Sequence, residues 1–171
     1  TTGCRNLLQQ MGSNIAYSIN GEKMKIWKSK KTTVVDIVDW ITDVFKEAEL
    51  DLSEYAVPDV EHTWVTYIGD IQLYIKIDIS DPETENLILD SCLCEIPAKE
   101  ILPFYRKCLD MNSLFLGGCL SLDETRVSFV QRRVIENMNE AEFGKIIGYQ
   151  INVSEQVLKE LEQEFEIVNN K

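Results

Sequence analysis

The sequence predicts a single α+β domain in the order α-β-β-β-α-β-β-α, with an antiparallel five-stranded sheet and the helices mainly on one face. Three observations predict it. Apolar and polar residues alternate from Ile71 to Ile79, the period of a half-buried strand. Apolar residues recur at helical spacing in separate stretches beginning near Thr33, Ile101 and Asn139. The strand-like runs between them are joined by short polar loops, which connect antiparallel neighbours and are too short for a parallel crossover.

Residues 1–31 lack a sustained apolar period and are expected to form an N-terminal arm, with the domain spanning 32–171. The arm holds a short amphipathic piece at Leu7, Leu8 and Met11 and a turn at Asn20-Gly21. Lys23, Lys25, Lys28, Lys30 and Lys31 follow as the chain's basic cluster. That cluster reads as a solvated arm or as a contact for an anionic partner.

Thr33 with Asp36 three residues on is a capping-box start, Asp standing in for Glu. Val34, Ile37, Val38, Ile41, Val44, Phe45 and Ala48 then form one helix face. Asp36, Asp39 and Asp43 lie away from it and read as its wet side, although their spacing also resembles a carboxylate cluster. After Pro58 the period changes to two, and His62 to Ile68 reads as a strand. Gly69-Asp70 is a tight hairpin turn. In the next strand Ile71, Leu73, Ile75, Ile77 and Ile79 face one side. Gln72, Tyr74, Lys76 and Asp78 face the other, and are the candidate partner-binding residues. Asn86 to Ile96 is the third strand of the meander.

A second helix is expected from Ile101 to Asn112, with Pro103 tolerated in its first turn. Two more strands, Phe115 to Leu122 and Arg126 to Ile135, turn at Asp123-Glu124-Thr125. Gly117-Gly118 lacks the Lys-Ser/Thr of a phosphate loop and reads as a bulge or a close backbone approach. Asn139 with Glu142 is another N-cap. Phe143, Ile146, Ile147, Ile151, Val157, Leu158, Leu161 and Phe165 are the apolar side of a long C-terminal helix. Gly148 and Asn152-Val153-Ser154 are expected to kink or split it.

This order of elements resembles the class I type III secretion chaperones and the related YbjN-like proteins. The resemblance is strongest over ILPFYRKCLDMNSLFLGGCLSLDETRVSFVQRRVI, residues 101–135, where a short helix leads into a hairpin and then an acidic helix. It covers roughly 32–168 and rests on pattern, with no residue-level binding motif to carry over. It implies a small acidic protein, commonly a homodimer, that binds an extended segment of a client along its sheet and helix surface.

Composition narrows the function classes. A net charge of −12 over 171 residues repels nucleic-acid backbones, so no nucleic-acid partner is expected. Eight Glu fall between Glu136 and Glu166 against Lys145 and Lys159, a solvated helix face or a docking face for a basic partner. No apolar run approaches the roughly 18 residues of a membrane span, and Arg5, Gln9, Gln10, Ser13 and Asn14 break any signal-peptide core. A cytoplasmic location is the default expectation.

Five cysteines, Cys4, Cys92, Cys94, Cys108 and Cys119, show no C-x-x-C spacing and read as small buried hydrophobes. Cys92 and Cys94, two apart on a strand, are expected on the same face. His62 is the lone histidine and reads as structural or exposed, and the usual nucleophile, zinc, dinucleotide and calcium motifs are absent. No catalytic residue, metal or cofactor is assigned. Three functions stay open: a non-enzymatic module binding a protein or peptide on the sheet or its edge; a regulatory or structural homodimer of YbjN-like type without a client; and a small-molecule binder or enzyme with an unrecognised site.

Overall fold

The computed structural model describes residues 31–167, apart from 82 and 124; the arm expected over 1–31, with its basic cluster, lies outside the described residues except for Lys31. Among the described residues the order is helix α1 (Val34–Glu47), a 3-10 turn (Leu52–Tyr55), strands β1 (Thr63–Ile68), β2 (Ile71–Asp78) and β3 (Asn86–Glu95), helix α2 (Ile101–Asn112), strands β4 (Cys119–Asp123) and β5 (Arg126–Val134), and helix α3 (Glu140–Glu164). The strands form one antiparallel sheet in the order β1-β2-β3-β5-β4.

The helices begin where their caps dictate. The Thr33 hydroxyl accepts from the Asp36 amide while the Asp36 carboxylate accepts from the Thr33 amide, the reciprocal capping box. Asn139 caps α3 through the Glu142 amide at 3.0 Å. All three helices pack on the sheet face carrying Ile71, Leu73, Ile75 and Ile77. Ile37, Ile41 and Phe45 of α1 meet Leu73, Ile75, Leu87 and Leu89 in one cluster. Phe104, Cys108 and Met111 of α2 meet Ile71, Leu93, Val127 and Phe129 in a second. Helix α3 crosses both, with Phe143 in the first cluster and Val157, Leu158 and Leu161 in the second. Burying each such side chain stabilises the fold by about 1.5–3 kcal/mol.

Several expectations are corrected. Strand β4 starts at Cys119, not Phe115, because Phe115 turns inward to stack edge-on against Phe129, with centroids 5.1 Å apart. Ile79 lies beyond β2 and is 46% exposed. Pairing stops at Asp78, whose carboxylate accepts from the Ser80 amide and hydroxyl in a tight local turn. His62 precedes β1 in a turn with φ 51°. Helix α3 runs unbroken through Gly148 and Asn152-Val153-Ser154. A helical glycine costs only about 1 kcal/mol, less than packing α3 across both clusters returns.

Cys92 and Cys94 do not share a face. The β3–β5 register slips between them, so that Cys92 pairs Ser128 and Cys94 pairs Val127. Leu93 is the extra residue of this bulge, and it returns Cys94 to the core while Cys92 stays on the outer side. The glycine pair behaves as a close approach: a Cβ on Gly118 would meet the Phe129 ring at 2.6 Å and the Val130 carbonyl at 2.8 Å.

Candidate functional site

Among the described residues, three surfaces remain uncovered by the helices or project beyond the core. The first is the outer face of the sheet. Gln72, Tyr74, Lys76 and Asp78 do lie there together, as period two requires. Their cross-strand neighbours on β1 are Tyr67, Val65 and Thr63. The side chains are wired to one another: Gln72 donates to the Tyr67 hydroxyl at 3.1 Å, and the Tyr74 hydroxyl donates to the Gln72 carbonyl at 3.2 Å. Asp78 lies 3.8 Å from the Arg132 guanidinium, and its hydrogen bonds from Ser80 hold its carboxyl below the usual range.

Beside Tyr74, Asp90 faces a groove also lined by Cys92, Asp123, Arg126 and Ser128. Burial pushes the Asp90 carboxyl above its ordinary range. A hydrogen bond with Ser128 and the charge of Arg126 pull it back in part, and Asp123 raises it further. Sequence reading missed Asp90, because an aspartate on a wet face gives no signal until its neighbours on β2 and β5 close over it.

The second surface is an apolar cavity of about 190 Å³ between the end of α1, the β1–β2 hairpin and α3. Val44, Phe45, Leu50, Tyr67, Ile68 and Ile147 are among its walls. Ligand pockets usually run to roughly 300–1,000 Å³, so this one suits a side chain better than a cofactor. It adjoins an edge strand. The His62 carbonyl bonds inward to the Ile77 amide at 2.9 Å, so by alternation the backbone groups of Thr63, Val65 and Tyr67 face away from β2. Val57 occupies the Thr63 carbonyl at 2.9 Å. Ala56 also bridges Trp64, covering the edge as far as Val65, and Tyr67, which lines the cavity, continues the outward edge.

The third is a ridge of leucines. Leu102 and Leu109 stand on the outward side of α2, with Leu114 and Leu116 in the following loop, at 67% to 96% exposure. Exposed apolar side chains mark an interaction site where they form one contiguous patch.

Chemistry is muted elsewhere. Cys92, Cys94, Cys108 and Cys119 are free thiols. Burial pushes Cys94 up to about 12 and Cys108 up to about 11, so both stay protonated. Among the described residues no group of three or more His, Cys, Asp or Glu is placed to hold a metal ion, and no helix is long and apolar enough to cross a membrane.

No protein-family model matches the chain, and no curated protein matches it. Solved structures do. One is a chain of the ExsC–ExsE complex, with a TM-score of 0.56 and 11% identity over 75% of this chain and 95% of that one. Another is a chain of the HopA1–SchA chaperone–effector complex, with a TM-score of 0.51 and 20% identity over 70% of this chain and 91% of that one. At such identities the likeness is one of fold. The chain has a secretion-chaperone-like α+β fold, and the resemblance to the secretion chaperones first seen in its order of elements holds at that level.

Proposed function

We propose that this chain is a non-enzymatic, cytoplasmic module that binds another polypeptide, taking an extended segment along the outward edge of β1 with an apolar side chain seated in the adjoining cavity. The observation that carries this reading is the pairing of a side-chain-sized apolar cavity with the outward edge at Tyr67, beyond the stretch that Ala56 and Val57 cover. Strand addition supplies main-chain hydrogen bonds, and a pocket beside the edge supplies selectivity. The shared fold with a chain of a chaperone–effector complex supports it. The test is to purify the chain from its own cells, identify any stoichiometric client, and rebuild the complex from purified parts. Val44→Lys, which plugs the cavity mouth, and Tyr67→Pro, which removes one outward amide, should each weaken that complex at least tenfold while the melting temperature stays close to the parent's. A complex indifferent to both changes overturns the β1 site.

A second copy of the chain is the second partner we propose, and the leucine ridge is the observation that favours it. Residues 101–122 carry Arg106, Lys107 and Asp110 in a chain of net charge −12, so two copies approach there without the repulsion of its acidic surface. Leu109→Asp should lower the sedimentation-equilibrium mass to that of a monomer. The outer-face residues Gln72, Tyr74, Lys76 and Asp78 are the competing contact surface. If Leu109→Asp leaves the mass unchanged and Tyr74→Ala lowers it, the contact belongs to that face.

A further inference from the structure

A five-stranded sheet has two edges, and here they are treated differently. Strand β4 is the edge opposite β1. Near its start the Leu120 amide donates to the Asn112 side-chain carbonyl at 2.6 Å, and the Asn112 side-chain amide donates to the Leu120 carbonyl at 3.2 Å. One carboxamide thus satisfies both backbone groups of one residue, which is the pair of bonds that an opposing strand residue would make. Because both Leu120 groups go to Asn112, the Leu120–Phe129 pair is of the non-hydrogen-bonded kind. Leu120 and, two residues on, Leu122 are therefore the positions whose backbone faces away from the sheet. Asn112 is the last residue of α2, held in place by the burial of Phe104, Cys108 and Met111 on the same helix.

We propose that Asn112 closes the β4 edge against strand addition, and that without it this edge accepts β4 of a second copy. Unpaired edges are templates for pairing with other chains, and proteins that last in solution cover them. The occupant follows from charge and symmetry. Residues 119–123 carry a single charge, Asp123, so two copies of β4 can approach where most of this acidic surface repels. An antiparallel strand pairs with itself about a two-fold axis, which closes the assembly at two chains. The inference is independent of whether β1 receives a client. It adds that such a client has one receptive edge to choose.

The experiment uses Asn112→Ala and the double variant Asn112→Ala/Leu122→Pro, both in the Leu109→Asp background so that association through the leucine ridge is absent. The first readout is hydrogen exchange at the Leu120 amide, which should quicken roughly tenfold in Asn112→Ala, the equivalent of one lost hydrogen bond. The second is sedimentation velocity. Asn112→Ala should show a concentration-dependent dimer that the background lacks. Leu122→Pro, which removes an outward amide and is tolerated at an edge, should abolish it. Unchanged exchange at Leu120 overturns the hydrogen-bond pair itself. Faster exchange with no new dimer overturns the edge-closing role and leaves Asn112 as a tie between α2 and β4. A dimer that survives Leu122→Pro shows that the new contact lies away from the edge and also overturns the proposal.

Discussion

The two faces of the sheet are built from alternate residues of the same strands, yet they are different materials. On β2, Ile71, Leu73, Ile75 and Ile77 are sealed beneath the helices. Gln72, Tyr74, Lys76 and Asp78 stand between them and trade hydrogen bonds and charge with Tyr67, Ser80 and Arg132. The inner face draws its stability from apolar area, and the few polar side chains buried there are only partly paired: Gln131 Oε1, Gln150 Oε1 and the Ser154 hydroxyl have no hydrogen-bond partner. Gln150, fully buried from α3, pairs through its amide nitrogen alone, donating to the Ser91 hydroxyl at 2.7 Å and the Phe129 carbonyl at 2.8 Å. The outer face keeps Gln72, Tyr74, Lys76 and Asp78 solvated or paired sideways, so those positions can change sequence at small cost. Stability therefore sits on one side of the sheet, and freedom to serve binding sits on the other side and at the rim.

Ile75→Asp should break the contrast outright. A carboxylate forced into the inner face has no counter-charge there, and such changes cost about 4–5 kcal/mol or more, enough to unfold many domains. Loss of the cooperative thermal transition in circular dichroism is expected; a melt within a degree or two of the parent would refute the assignment of that face as core. Gln150→Ala should come next, at about 2–4 kcal/mol, because it takes the Ser91 hydroxyl's buried partner away and leaves a void behind. Urea unfolding checks it, and a change below measurement error would mean that the Gln150 bonds contribute nothing net.

Tyr74→Ala, on the other face and one residue from Ile75, should cost about 1 kcal/mol or less. The adjacent pair is the sharpest form of the comparison, since a similar loss at both positions would erase the distinction between faces.

The smallest effect is expected at Asp90, and it depends on pH. Its folded carboxyl is raised above the unfolded value, so the native state holds its proton more tightly than the unfolded chain does. The stabilising protonated form is fully present below the unfolded value, and its contribution is lost as pH rises through the folded one. Asp90→Asn should then raise the melting temperature near pH 7 and leave it nearly unchanged near pH 3. The groups that set this balance are Ser128, Arg126 and Asp123. An equal shift at both pH values would show that ionisation of Asp90 is not its source.

Much of this was legible in the residues. Thr33 with Asp36 and Asn139 with Glu142 marked two helix starts, because capping is decided within four residues of chain. Gly69-Asp70 placed the hairpin for the same reason. What failed was non-local. Phe115 reads as strand until the ring of Phe129 draws it inward. Cys92 and Cys94 read as one face until the β5 register inserts Leu93 between them. Asn152-Val153-Ser154 reads as a kink or split until packing carries the helix through it with Ser154 fully buried.

The candidate sites divide the same way. Alternation alone put Gln72, Tyr74, Lys76 and Asp78 on one face, since side-chain direction in a strand follows from backbone geometry. The apolar cavity gathers residues from α1, β1, β2 and α3, and the closed edge joins Asn112 to Leu120 across a loop. By itself the sequence determined the α+β class, the number and order of helices and strands among the described residues and which residues of β2 share a face, because each depends on short-range periodicity and capping. Only the tertiary structure decided which sheet edge is capped, where the cavity lies and which polar groups are buried, because those depend on distances between residues far apart in the chain.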